Sequence, residues 1–194
     1  MSVFLPQGKQ LVLASKSPRR AELLSQAGIP FTVCASQFPE NLAKQQMAPK
    51  TYAEATAVAK AEEVARELGG DVIVLAADTI VEGLPGEIWE KPETASRAKS
   101  MLRSLSNRSH DVHTGVAIVH GETVKSLVAT TSVTFVDLDE DLIELYVASG
   151  SPFDKAGGYG IQDMWMVESI VGDYFNVVGL PVSRVLAELR AMCS

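Results

Sequence analysis

Six consecutive apolar residues, Val72–Ala77, followed at once by Asp78, constrain this chain more than any other stretch. A run without polar alternation is a strand covered on both faces, the situation at the centre of an α/β sheet. Such a strand needs helices to cover it, and one stands just before it. Over Thr51–Leu68, the residues Ala57, Ala61, Val64 and Leu68 recur at helical spacing, and Gly69-Gly70 close the segment. A chain of 194 residues buries such a sheet without disulfide or metal staples. We therefore expect one α/β domain over residues 1–194, built on a mixed sheet.

The remaining punctuation fits that plan. Leu11–Ala14 reads as a first strand. Ser17 then occupies an N-cap position, with Pro18 as the first helical residue. Leu23, Leu24 and Ala27 give this helix an apolar side, and Gly28 and Pro30 end it. Phe31–Ser36 reads as a second strand, and Gln37–Lys50 as irregular. Glu82–Gly86 is a turn, and Thr94 caps a helix carrying Ala98, Met101, Leu102 and Leu105. His110–Val119 and Thr123–Val136 read as strands about a His120-Gly121 turn, with His110 and His113 expected on one face. Asp137 and Glu140 form a capping-box-like pair before a helix ending at Gly150. Ser151–Gln162 is glycine-rich and irregular. Met164–Ile170 and Tyr174–Val178 suggest a hairpin, and a last helix starts at Pro181.

Composition removes several function classes. The formal charge is −7, from 24 acids and 17 bases, which disfavours sequence-independent nucleic-acid binding. Any anion must then be held by a local basic cluster. Two distant cysteines and three histidines give neither a disulfide framework nor the ligand spacing of a zinc site. No apolar run approaches a membrane span, and no basic start leads into an apolar stretch, so we expect a cytoplasmic protein without a membrane partner.

The turn after the first strand is the most informative chemical feature. Lys16, Arg19 and Arg20 crowd a helix start. The positive end of the helix dipole disfavours cations there by a few tenths to ~1 kcal/mol each. A bound anion would resolve the conflict, held by backbone N–H groups, the hydroxyls of Ser15 and Ser17, and two guanidiniums. Solvated surface charge is the other reading. Asp78 ends a buried strand at the edge where open α/β sheets bind ligands, or else it caps the next turn. Thr79 follows it and points to the opposite face. Lys60 lies at the edge of its helix's apolar stripe, so its ammonium emerges either into a cleft or into solvent. Lys91 and Lys155 are loop lysines. Three common sites are missing: no GxxxxGK[ST] P-loop, no GxSxG elbow, and no strand feeding Gly157–Gly160 as a dinucleotide fingerprint needs.

Five strings occur in order: LVLASKSPRRAELL (11–24), AADTIV (76–81), EKP (90–92), DKAGGYGIQ (154–162) and VVGLP (177–181). Together they resemble the Maf family, the septum-formation-inhibitor-like proteins, over essentially the whole chain. The resemblance implies a nucleoside triphosphate pyrophosphatase that releases a monophosphate and pyrophosphate. It implies an elongated two-lobed α/β body with a central cleft, similar to the inosine triphosphate pyrophosphatases. It assigns Asp78 as general base, Glu40 as a carboxylate that helps hold a divalent ion (Mg²⁺ or Mn²⁺), and Ser15, Arg19 and Arg20 as the phosphate turn; the sequence leaves open whether Asp78 acts as base, as metal ligand, or as both. Lys60, Lys91 and Lys155 match the lysines placed on the triphosphate. Arg19, Thr79 and Gln162 together look like the subgroup acting on dTTP and UTP. Many members are dimers, so the resemblance allows a homodimer. Pro39 stands where many members carry an acid, and Asp163-Met164-Trp165 replaces a glycine-rich stretch. The family's older name leaves a second class of function in view, a nucleotide-binding regulator of cell division without turnover.

Overall fold

The computed structural model describes residues 5, 8–39 and 42–192. Its elements in chain order begin with β1 (Gln10–Leu13), α1 (Pro18–Gln26), β2 (Thr32–Val33) and α2 (Pro49–Leu68). Then come β3 (Val72–Glu82), β4 (Ile88–Trp89), α3 (Ala95–Leu105), β5 (Ser109–His120) and β6 (Thr123–Phe135). The chain closes with α4 (Glu140–Ala148), β7 (Val167–Val171), α5 (Tyr174–Val178) and α6 (Val182–Ala191). One mixed sheet runs β2-β1-β3-β5-β6-β7, with β4 also on β3. The pairs β1–β2 and β1–β3 are parallel, and the others are antiparallel. Among the described residues no helix is long and apolar enough to cross a membrane.

The central apolar run does what an uninterrupted run must do. Ile73, Leu75 and Ala77 pack on one face with α1 and α6, while Val74 and Ala76 pack on the other against Ala57, Ala61 and Val64 of α2. A further core lies beyond the far end of β3, where Val81 joins Leu102, Leu105, Phe135 and Tyr146 under α3 and α4. The long strands β3, β5 and β6 thus carry two packed halves. Between them lies a discontinuity. β1 pairs with β3 only over Val72–Leu75, and β4 resumes on that side at Val81. Residues Ala76–Ile80 pair with β5 alone. Ligands of open α/β sheets bind where neighbouring strands diverge in this way.

Several local expectations change. The strand does not stop at Asp78 but continues to Glu82, because Asp78 has an ionic partner and Ile80 and Val81 resume the apolar pattern. Only Thr32–Val33 of the expected second strand is paired. The N-cap of α4 is Asp139, which accepts from Leu142 N at 2.8 Å, whereas Asp137 accepts from Ser106 Oγ. Ser17 sits at the N-cap of α1 without a side-chain cap, and its N–H donates to Ser15 Oγ at 3.2 Å. The hairpin's second arm is a helix: Asp173 caps Tyr174–Val178, and Gly179 ends it at φ 124°. These end signals override the β preference of Tyr, Phe and Val.

His110 and His113 do not share a face. Three residues apart is an odd separation along a strand, so their side chains diverge. His110 meets Tyr159 Oη at 2.7 Å beside Phe135, and His113 meets Glu82 Oε2 at 2.9 Å and Thr130 Oγ1 at 2.9 Å. Burial pushes the His110 imidazole down to about 4. A folded pKa below the unfolded one means the unfolded chain takes up the proton first. Stability is therefore full above pH 6.5 and is lost as pH falls toward about 4, by about 3 kcal/mol. Urea unfolding at pH 7 and pH 4.5 measures this loss, and His110→Gln should flatten it.

Candidate active site

The discontinuity in the sheet opens into a cleft of about 540 Å³. Its described lining holds six basic residues (Lys16, Arg19, Arg20, Lys60, Lys91, Lys155) against four acids (Asp78, Glu90, Glu93, Asp154). A chain with seven excess negative charges thus presents excess positive charge here. Low-dielectric walls strengthen that local field for an anion.

Lys60 and Asp78 form the floor. Lys60 Nζ lies 2.7 Å from Asp78 Oδ1, and both side chains are about nine-tenths covered. Lys60, expected at the edge of its helix's apolar stripe with its ammonium in a cleft or in solvent, lines the cleft. In the structure it belongs to the buried face, in line with Tyr52, Ala53, Thr56, Ala57, Ala61 and Val64. Breaking a buried pair from one side leaves an uncompensated charge and costs about 3–5 kcal/mol. α2 comes close enough to make this pair because β5 carries Gly115 directly opposite Asp78. A Cβ at Gly115 would stand 2.2 Å from the Ala53 carbonyl oxygen.

The next residue of β3 faces the other way, as expected for a strand, and meets α1. Arg20 donates Nε to Gly179 O at 2.8 Å, one terminal nitrogen to Ser15 Oγ at 3.1 Å, and the other to Thr79 Oγ1 at 3.1 Å. Thr79 Oγ1 lies 2.9 Å from Thr114 Oγ1, and Thr114 donates to the Asn176 carbonyl at 2.9 Å. Since Thr114 spends its proton on Asn176, Thr79 is the donor between the hydroxyls. The chain of bonds therefore runs from Arg20 through Thr79 and Thr114 to α5. Arg20 is fixed by this network at the start of α1, beside the strand that carries Asp78.

Arg19 leans to the other half of the molecule. It binds Asp154 Oδ2 at 2.7 Å and the Asp154 carbonyl at 2.9 Å. Lys155 Nζ binds Asp154 Oδ1 at 2.7 Å and Ser151 O at 2.6 Å. Lys91 and Gln162 are exposed residues of the cleft lining. Glu40, the expected second metal ligand, lies outside the described residues. The structure therefore brings Ser15, Arg19, Arg20, Lys60, Asp78, Thr79, Lys91, Lys155 and Gln162 to one cleft.

Four residues were not read from the sequence. Glu90 accepts from Tyr52 Oη at 2.9 Å, binds Lys44, and receives Gly157 N on its carbonyl at 3.1 Å, so it ties the EKP string to the glycine-rich loop. Thr114 and Asn176 complete the Arg20 network. A lone threonine in the apolar strand VHTGVAIV was the available signal for Thr114. Asp154 stood next to Lys155 in plain view. A separate group, Glu82, Asp111 and His113, gathers its ligand atoms within 4.8 Å but does not line the cleft.

The lining's donor set bears on a metal. Its acids offer only carboxylate oxygens, and no histidine or cysteine lines the cleft among the described residues. Hard oxygen donors suit Mg²⁺ or Mn²⁺ rather than a soft ion.

A family model described as "Maf-like protein" matches residues 10–192. A dTTP/UTP pyrophosphatase of Halalkalibacterium halodurans is 46% identical over 184 residues, covering 94% of this chain and 95% of that protein. A dTTP/UTP pyrophosphatase of Salinibacter ruber is also 46% identical, covering 98% of this chain and 95% of its own. Among solved structures, a HAM1 protein from Coxiella burnetii aligns over 95% of this chain and 98% of its own, with a TM-score of 0.52 and 17% identity, a likeness of fold. Matched by the family model over residues 10–192 and by relatives 46% identical over nearly its whole length, the chain belongs to the Maf-like family.

Proposed function

We propose that this protein hydrolyses pyrimidine nucleoside triphosphates, dTTP and UTP, to the monophosphate and pyrophosphate. The observation that carries this reading is the convergence on one cleft of a lysine-held aspartate and a fixed guanidinium at a helix start. The names of relatives 46% identical over nearly the whole chain support the same reaction.

In this reading the triphosphate tail lies on the Ser15–Arg20 turn. Arg20 is held ready by Ser15, Thr79 and Gly179, so little reorganisation is needed when phosphate arrives. Lys60 donates to Asp78 Oδ1 at 2.7 Å and so fixes the carboxylate in the cleft lining. Asp78 orients a water molecule and takes its proton. The water oxygen bonds to phosphorus at the α–β bridge, and the bridge bond breaks. Lys91 and Lys155 offset the charge that develops on the phosphate oxygens. Asp78, joined by Glu40 as the family resemblance implies, would hold the divalent ion. When bound, that ion supplies Lewis-acid stabilisation of phosphate charge. Gln162 offers an amide donor and acceptor to a uracil or thymine edge. Thr79 acts on Arg20 through its hydroxyl, and so shapes the pocket indirectly.

Pyrophosphate release from a panel of nucleoside triphosphates tests this reading. dTTP and UTP should lead the panel. Preference for a purine would overturn the roles given to Arg19, Thr79 and Gln162. Arg20→Lys should raise KM for dTTP roughly tenfold to a hundredfold, because an ammonium cannot serve three separately placed acceptors and a phosphate. Steady-state kinetics on the variant measures this directly.

A further inference from the structure

Asp154 is the exposed member of a three-part ionic cluster whose other two members are sheltered. Its side chain is 59% exposed, against 23% for Arg19 and 16% for Lys155. Each carboxylate oxygen serves a different cation: Oδ2 takes Arg19 at 2.7 Å, and Oδ1 takes Lys155 at 2.7 Å. This places a single negative group between two cations that the proposed reading assigns to the triphosphate. Two oxygens bridging a guanidinium and an ammonium reproduce the hydrogen-bond pattern of a phosphate. The contact also spans the cleft. Arg19 belongs to α1, packed in the half beside β1, and Asp154 ends the 3-10 turn Ser151–Asp154 that follows α4 in the other half.

We infer that Asp154 is an internal competitor for the substrate's polyphosphate, holding Arg19 and Lys155 in place until a phosphate displaces it. This inference rests on the phosphate cradle proposed above. The exposure pattern is what displacement requires. The carboxylate can swing into solvent while Lys155 stays anchored by the Ser151 carbonyl at 2.6 Å and hydroxyl at 3.2 Å, and Arg19 by the Asp154 main-chain carbonyl at 2.9 Å. Partial burial raises the Asp154 pKa, and the hydrogen bonds from Lys155 and Arg19 outweigh it, bringing the group to about 2. It therefore remains an anion, and a competitor, throughout the neutral range. A purely supporting residue would have the opposite effect on binding when removed, and this separates the two roles.

Inorganic tripolyphosphate is the probe, titrated calorimetrically without metal into the wild type, Asp154→Asn, Asp154→Glu and the double variant Asp154→Asn/Arg19→Gln. Loss of the competing charge should tighten binding to Asp154→Asn roughly threefold to tenfold. Asp154→Glu should stay within about twofold of the wild type, because it restores the anion. The gain should disappear in the double variant, where one of the released cations is gone. Equal or weaker binding by Asp154→Asn, with wild-type binding intact, would overturn the competitor role and leave the cradle standing. No binding by either protein would overturn the cradle itself, and the inference with it.

Discussion

Asp78→Asn is expected to lower turnover of dTTP about a thousandfold, the scale on which removal of a positioned general base acts. Asparagine keeps the size and one oxygen acceptor for Lys60 but takes no proton at neutral pH. The change also removes the carboxylate charge that Lys60 meets at 2.7 Å, in a site where both side chains are about nine-tenths covered. Folding stability should therefore fall by about 3 kcal/mol, at the lower end for breaking a buried pair, since the amide oxygen still accepts. The two effects are separable. Thermal unfolding reads the loss of the pair, and kcat measured well below the unfolding range reads the chemistry. Asp78→Glu gives the complementary case: it restores the charge and moves it by one methylene. Stability should largely return, while kcat stays at least tenfold down because the proton acceptor is misplaced. A variant Asp78→Asn that keeps wild-type kcat would end the general-base assignment.

Gly115→Ala is expected to be the most damaging single methyl group in the protein. No special backbone angle is involved. The obstacle is the α2 backbone, with the Ala53 carbonyl oxygen 2.2 Å and the Glu54 nitrogen 2.5 Å from the new Cβ. Backbone cannot rotate away as a side chain does, so α2 must lift from the sheet. Overpacking of this kind costs about 3 kcal/mol or more, which for a chain of this length lowers Tm by roughly 10 °C. Lys60 lies two turns further along the same face of α2, and Asp78 is paired across the sheet with Gly115. Lifting the helix therefore also lengthens the Lys60–Asp78 contact. Activity should fall by more than stability alone explains. Differential scanning calorimetry together with kcat at 15 °C, where the variant remains folded, checks both parts.

What was legible in the sequence follows physical lines. The sheet's centre was legible because a double-faced strand needs uninterrupted apolar residues, and Val72–Ala77 supplies them. The basic turn was legible because three cations at a helix start conflict with the dipole. Tyr174–Val178 was misread because five residues rich in β-formers become a helix only through Asp173 and Gly179 at its ends. Helical spacing left the Lys60 ammonium between cleft and solvent, because it reports the angle of a side chain and not what lies across from it; the structure puts Lys60 in the cleft lining. Its partner, Asp78, comes from an element that begins after α2 ends. The role of Thr114 depends on β-sheet register opposite Thr79, and that of Asn176 depends on a carbonyl, so neither carries a side-chain signature in one dimension. Asp154 was masked by its own neighbour, since Lys155 drew attention as the cation while the carboxylate that bridges it to Arg19 passed as surface charge.

The central claim is a reaction at the α–β bridge of a pyrimidine triphosphate in the cleft between the two packed halves. Chromatographic separation of the products of dTTP with Mg²⁺ tests it most directly. dTMP and pyrophosphate should form in equal amounts, with no dTDP at any time. Formation of dTDP and orthophosphate would contradict the assigned bond cleavage. Retained nucleotide binding without any product would contradict catalysis and favour a regulator that binds nucleotide without turnover.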